Sequence, residues 1–267
     1  MSKLIRKLPI SPRWGLAIKT LPFVGVILVA KVAAHHYGAE FMNLSSLFTA
    51  VISANVFLIG FLITGVLSDY KESEKIPGDL AAAVEMLADE ALIIGKAKKH
   101  EATRKYLIHL RDFVRTLVDW FHKKERTTKL MQEITDFNGY FHDFESLTQA
   151  NFIVRMKQEQ NLIRKMANRI HTIRETSFLG TGYAIAEIVT AVLVTGLVFI
   201  KIEPFYEGVF FVSFVGFMLI YMIYFIRDLD NPFGYDEEDS IVENVSLKPL
   251  IDTQRRIEEL VEFSKTA

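Results

Sequence analysis

The chain of 267 residues contains no cysteine, which excludes disulfides, thiol nucleophiles and thiolate metal sites outright. It also lacks HExxH, Walker-type and GxSxG sequences, and His100, His109 and His122 share no metal-ligand spacing, so an enzyme is not expected. Charge of one sign is missing as well. The 31 Lys and Arg residues against 32 Asp and Glu leave a net charge of −1, and no basic tract is interleaved with aromatics. Nucleic acid is therefore not an expected partner. Period-two alternation between hairpin turns is absent too, which argues against a β architecture.

What the chain does have is apolar residues, half of the total, pooled in four long runs with the charges pooled between them. That distribution marks an integral membrane protein surrounded by lipid, and the patterns in every segment are helical. The expected fold is all-α, with four transmembrane helices and a block of amphipathic helices. Residues 1–68 would hold a basic N-terminus and the first two spans, and residues 69–176 the helical block. A transmembrane hairpin would fill 177–227, and an acidic turn with a last helix 228–267.

The first apolar run, Leu21 to Ala34, extends back through Trp14 to Ile18 toward a full span. Lys31 lies near its end, beside His35 and His36. It reads either as a snorkelling lysine or as part of a positive ring at an anion vestibule. The second run, roughly Leu44 to Ser68, carries Ser53, Phe57, Phe61, Thr64 and Ser68 at spacings of four, four, three and four. Such spacing stacks them on one helical face. Hydroxyls and phenyls on one face suit a pore lining, and small and hydroxyl residues equally suit a helix–helix contact.

A break is expected at Pro77 to Asp79. Helical patterns follow at 81–99, 106–121, 130–147 and 150–175, with a solvated turn over 122–129. Phe178 to Ile200 and about Phe205 to Ile226 form the hairpin. Glu187, inside its first arm, reads as either a functional intramembrane acid or a snorkelling one. The basic N-terminus and the nearly Lys- and Arg-free 37–43 and 201–207 links put both termini and the 69–176 block in the cytoplasm, at the cell membrane.

After the last span come Asp228, Asp230 and then NPFGYDEEDS at 231–240. By composition this acidic turn is a solvated run or a site for a hard cation, which wants several oxygen ligands. Asn231-Pro232-Phe233-Gly234 followed by an acidic cluster closely resembles the post-membrane motif of the bestrophins, pentameric ligand-gated anion channels. Phe57-Leu58-Ile59-Gly60-Phe61 with Thr64, and Glu74-Lys75-Ile76-Pro77, resemble that family's neck helix and the segment beyond it. The order of parts is similar over roughly residues 10 to 245.

The resemblance implies a homopentameric channel for chloride and other small anions. Its hydrophobic neck would be formed by Phe57 and Phe61, with Ser53 a turn earlier and Thr64 a turn later. It also implies a calcium clasp, with carboxylates from Asp236 and Asp239 and backbone carbonyls near Asp228 and Asn231. Two positions depart from the family pattern. Ser53 stands where a larger apolar residue is usual, and Tyr235 where animal members often have an acid. The competing readings are a cation-selective channel of the same kind, and a proton-coupled energiser that works with a partner membrane protein through Glu187 or Thr64.

Overall fold

In the computed structural model, residues 14–98, 101–175, 180–235 and 244–266 are described. The elements run α1 (Gly15–His36), β1 (Met42–Asn43), α2 (Ser46–Lys98), α3 (Glu101–Phe121), α4 (Thr127–Glu145), α5 (Ala150–Glu175), α6 (Gly180–Phe199), β2 (Ile200–Lys201), α7 (Phe205–Leu229) and α8 (Lys248–Thr266). The described residues contain four helical stretches long and apolar enough to cross a membrane.

Two compact units divide the chain, one made of Met1–Tyr70, Ser177–Pro232 and Glu237–Glu243, the other of Lys71–Thr176, Phe233–Asp236 and Asn244–Ala267. The first is the apolar unit. Its core joins Ile59, Leu62 and Val66 of α2 to Ala186 and Leu193 of α6 and Leu219, Ile226 and Leu229 of α7. A second cluster packs Ile27 and Ala34 of α1 on Leu197, Val198, Ile200 and Val212. Helices α1 and α7 approach so closely that a Cβ at Gly216 would sit 2.9 Å from Ile27 Cδ1. The end of the Ile27 side chain fills the space that a Cβ there would take.

Two short strands depart from the all-helical expectation. Met42 pairs with Ile200 and Asn43 with Lys201 in parallel register, so the two inter-helix links are hydrogen-bonded to each other. Each strand is two residues long, too short to leave a periodic signal in sequence. Before them, α1 ends where Gly38 adopts φ +64°, a left-handed conformation that glycine enters without strain.

The break expected at Pro77 is not there, because α2 continues through it to Lys98. Proline inside a helix costs about 3 kcal/mol and removes one backbone donor. Leu80, Val84 and Leu87, directly beyond it, are completely buried. Burial of each such side chain is worth about 1.5–3 kcal/mol, so the packing outweighs the proline. Asn138 and Gly139 fall inside α4, in line with the helical pattern at 130–147, although glycine is a weak helix former. Phe137, Phe141 and Phe144 on either side are buried.

In the second unit α3 is the central helix. It buries Tyr106, Leu107, Leu110, Phe113, Val114, Leu117, Trp120 and Phe121 against α4 and α8. Two polar contacts cross the α3–α4 seam at Glu133. Thr116 Oγ1 donates to Glu133 Oε1 at 3.0 Å, and His109 Nε2 donates to the Glu133 carbonyl at 3.2 Å. Glu133 Oε2 is buried without a donor.

Burial raises the Glu133 carboxyl above the ordinary carboxylate value and lowers the His109 imidazole below its ordinary value. The stability Glu133 contributes is therefore full below about pH 4.5 and lost as pH rises through its raised value. His109 acts oppositely, its contribution full above about pH 6.5 and lost on acidification. Glu133→Gln keeps the Thr116 bond and removes the ionisation. It should raise the melting temperature at pH 8 by about 2–4 °C, with little change at pH 4.5. An equal shift at both pH values would assign the gain to packing instead.

Candidate functional site

The stripe on α2 lies on the open side of its helix. Ser53, Phe57, Phe61, Thr64 and Ser68 are all exposed, with Phe57 78% and Phe61 60% accessible. The opposite face, Asn55, Ile59, Leu62 and Val66, is buried in the apolar unit at 3% accessibility or less. One turn of sequence thus separates side chains committed to the core from phenyls that nothing in this chain covers. Other open apolar residues, such as Val29, Ile188 and Phe210, are what a lipid-facing surface needs. The α2 stripe differs in carrying hydroxyls on the same line as its phenyls.

The hydroxyls of Ser53 and Thr64, and that of Thr49 one turn earlier, are already committed. Thr49 Oγ1 donates to the Ser45 carbonyl at 3.2 Å, Ser53 Oγ to the Thr49 carbonyl at 3.0 Å and Thr64 Oγ1 to the Gly60 carbonyl at 2.9 Å. Each spends its only proton on its own helix, so what faces outward is oxygen lone pairs.

The buried side of α2 is pinned by Asn55, whose Nδ2 donates to Thr190 Oγ1 of α6 at 3.0 Å. Sequence reading passed over Asn55 because it lies off the Ser53–Phe57–Phe61 line. A polar residue inside an apolar run was the available signal.

Lys31 neither snorkels nor lines a vestibule. Its side chain is 1% exposed and its ammonium lies 2.5 Å from Glu40 Oε1. It also donates to the carbonyls of Val198 and Ile200. These are among the carbonyls that the end of α6 leaves without intrahelical donors, so the lysine caps that helix and neutralises its negative end. The other oxygen of Glu40 lies 2.8 Å from His35 Nδ1, and the His35 ring stacks on Phe205 with centroids 3.9 Å apart. Lys31 and His35 together hold the Glu40 carboxyl below its ordinary value, against the opposing effect of burial. Sequence reading missed Glu40, since nothing before the fold is known brings it to Lys31.

Glu187 has a definite partner across the hairpin. Arg227 Nε and Nη2 donate to Glu187 Oε1 at 2.9 and 2.6 Å. The pair is partly exposed and joins α6 to α7.

Asp228 is buried near the end of α7, and Asn231 follows at the turn. Asp236 and Asp239 lie outside the described residues. Among the described residues no group of three or more His, Asp or Glu could hold a metal ion. Directly after Pro232, Phe233 is fully buried, and the Tyr235 hydroxyl donates to the Val245 carbonyl at 2.6 Å.

No protein-family model matches the chain. No curated protein matches it either. Solved structures do. A bacterial bestrophin homolog from Klebsiella pneumoniae superposes with a TM-score of 0.75 at 15% identity, over 93% of this chain and 99% of its own. Another crystal structure of that homolog gives a TM-score of 0.73 at 13% identity, over 92% and 97%. A crystal structure described as a membrane protein gives 0.76 at 14% identity, over 92% and 98%. Agreement over nearly the whole of both chains at so low an identity is agreement of fold, and by that measure this chain has the fold of the bestrophins.

Proposed function

We propose that the chain forms an ion channel, a homopentamer in which five copies of α2 surround a central axis in the cell membrane. The observation that carries this reading is the open stripe of Ser53, Phe57, Phe61, Thr64 and Ser68, set opposite a face buried in the chain's own core. Rings of Phe57 and Phe61 make a hydrophobic constriction, which closes by dewetting and needs no physical plug. The positive edges of the phenyls favour a partly dehydrated anion, so chloride is the first expected permeant ion. The termini and the second helical unit lie in the cytoplasm on this reading.

A second reading, a small cation such as sodium, is supported by the hydroxyls of Ser53 and Thr64. Both donate to backbone carbonyls and turn only acceptor oxygens outward. Acceptors solvate cations. The proton-coupled energiser has less support, because the carboxylate it would use, Glu187, is held by Arg227.

Calcium is proposed as a regulator. Carboxylates of Asp236 and Asp239, with carbonyls near Asp228 and Asn231, are the residues that would hold it. The chemistry it supplies is the gathering of oxygen ligands around one hard cation, which braces the turn after α7.

The test is flux from liposomes containing the purified protein, chloride against sodium, with calcium or with a chelator. Chloride flux that needs calcium supports pore, selectivity and clasp together. Sodium flux selects the second reading, and flux indifferent to chelation removes Asp236 and Asp239 from the site. Absence of either flux overturns the channel.

A further inference from the structure

The Arg174 guanidinium occupies an unusual position in the second unit. It stands in the last turn of α5 (Ala150–Glu175), and its Nη1 and Nη2 donate to the carbonyls of Trp120 and Phe121 at 3.1 and 2.7 Å. Those carbonyls belong to the final residues of α3, where an α-helix lacks internal donors and carries its negative end. The same guanidinium lies 4.6 Å from the Trp120 ring, 5.5 Å from Phe121 and 5.8 Å from Phe233. Trp120 is itself fixed by an indole bond to Thr127 Oγ1 at 3.0 Å. Phe233 also meets the Phe121 ring at 5.7 Å and is fully buried. Tyr235, two residues on, lies against Phe121 and His122.

Covalent order gives this cluster its significance. The chain passes between the two units at the Thr176–Ser177 and Pro232–Phe233 peptide bonds, among others. Arg174 stands two residues before the first of these bonds, and Phe233 directly follows the second. In sequence the whole α6–α7 hairpin lies between them, so the segments that enter and leave it meet at one guanidinium and one helix end within the second unit.

We propose that Arg174 is a positioning residue that ties the last turn of α5 and the Phe233 segment, which border the α6–α7 hairpin in sequence, to the C-terminus of α3 and so sets the balance between open and closed channel. The part concerning opening rests on the channel reading above. The clamp itself does not. Lysine cannot replace arginine here, because a point ammonium cannot bond two carbonyls in a plane while stacking on three rings.

The test compares wild-type protein with Arg174→Gln, Arg174→Lys and Phe233→Leu, each first checked for native assembly by size-exclusion chromatography. Backbone hydrogen exchange reads the clamp and single-channel recording in planar bilayers reads the gate. Both Arg174 variants should speed exchange at 170–175 and 233–235 by about tenfold or more. They should shift open probability by about fivefold or more, leaving unitary conductance unchanged. Phe233→Leu should shift open probability in the same direction, and combining it with Arg174→Gln should add little. Exchange at 170–175 and 233–235 that stays at the wild-type rate overturns the clamp. Faster exchange with an unaltered open probability overturns the gating role and leaves a purely structural arginine. If the wild type carries no current, the channel reading falls, and the exchange rates alone decide the clamp. Full recovery of both readouts by lysine overturns it.

Discussion

Replacing Phe57 and Phe61 together by alanine is expected to give a leaky pore, with liposome flux rising by on the order of tenfold or more. Each ~1.4 kcal/mol removed from a permeation barrier is worth a factor of ten. Two rings of phenyls contribute to a dewetting barrier as a unit, and alanine widens and wets the passage. Folding should be spared, because both phenyls are open in the chain and their loss leaves no cavity in its core. Size-exclusion chromatography should therefore show the wild-type assembly, while flux rises whichever ion permeates. Wild-type flux in an intact assembly would remove Phe57 and Phe61 from the constriction. Collapse of the assembly would mean that the stripe is a helix–helix contact.

The second large effect concerns Lys31. Lys31→Met is expected to destabilise the protein by about 3–5 kcal/mol, the usual cost of leaving one member of a buried ion pair without its partner. Glu40 would keep its His35 contact but lose the ammonium on Oε1, and the carbonyls of Val198 and Ile200 would lose their donor. Thermal melting in detergent reads the loss directly. The double variant Lys31→Met with Glu40→Gln should recover much of it, since the uncompensated carboxylate is then gone. Melting of Lys31→Met at the wild-type temperature would contradict a buried pair. Because Glu40 lies in the link just ahead of β1 and α2, the single variant should also weaken the start of the helix that carries the Phe57–Phe61 stripe.

The two predictions draw on different kinds of information. The stripe on α2 is legible in the chain because a helical face is a matter of spacing. Ser53, Phe57, Phe61 and Thr64 recur at three and four residues, and any straight helix puts them in line. The four apolar runs are legible for the same reason, since length and the absence of charge are local properties. The resemblance carried by Phe57-Leu58-Ile59-Gly60-Phe61 and Asn231-Pro232-Phe233-Gly234 agrees in fold with solved structures that share only 13–15% of their residues with this chain.

What lies between distant residues was not legible. Lys31 looked like a side chain reaching for the membrane surface, because its carboxylate, Glu40, reaches it only once α1 has turned back through Gly38. Its carbonyl partners come from the end of α6, far along the chain. Pro77 looked like a stop because the local cost of proline is readable and the burial of Leu80, Val84 and Leu87 that overrides it is not. Arg174 was one charge among many in an amphipathic helix until the end of α3 and Phe233 met around it.

The sequence by itself determined where the apolar runs are, which of them are long enough for a membrane, and which face of α2 carries phenyls and hydroxyls. All of these follow from periodicity within a single helix. Only the tertiary structure decided which polar groups are paired, which hydroxyl protons are spent and which helix ends are capped. Those depend on free-energy balances between residues far apart in the chain, where burial sets the cost of an unpaired group and the fold alone supplies its partner.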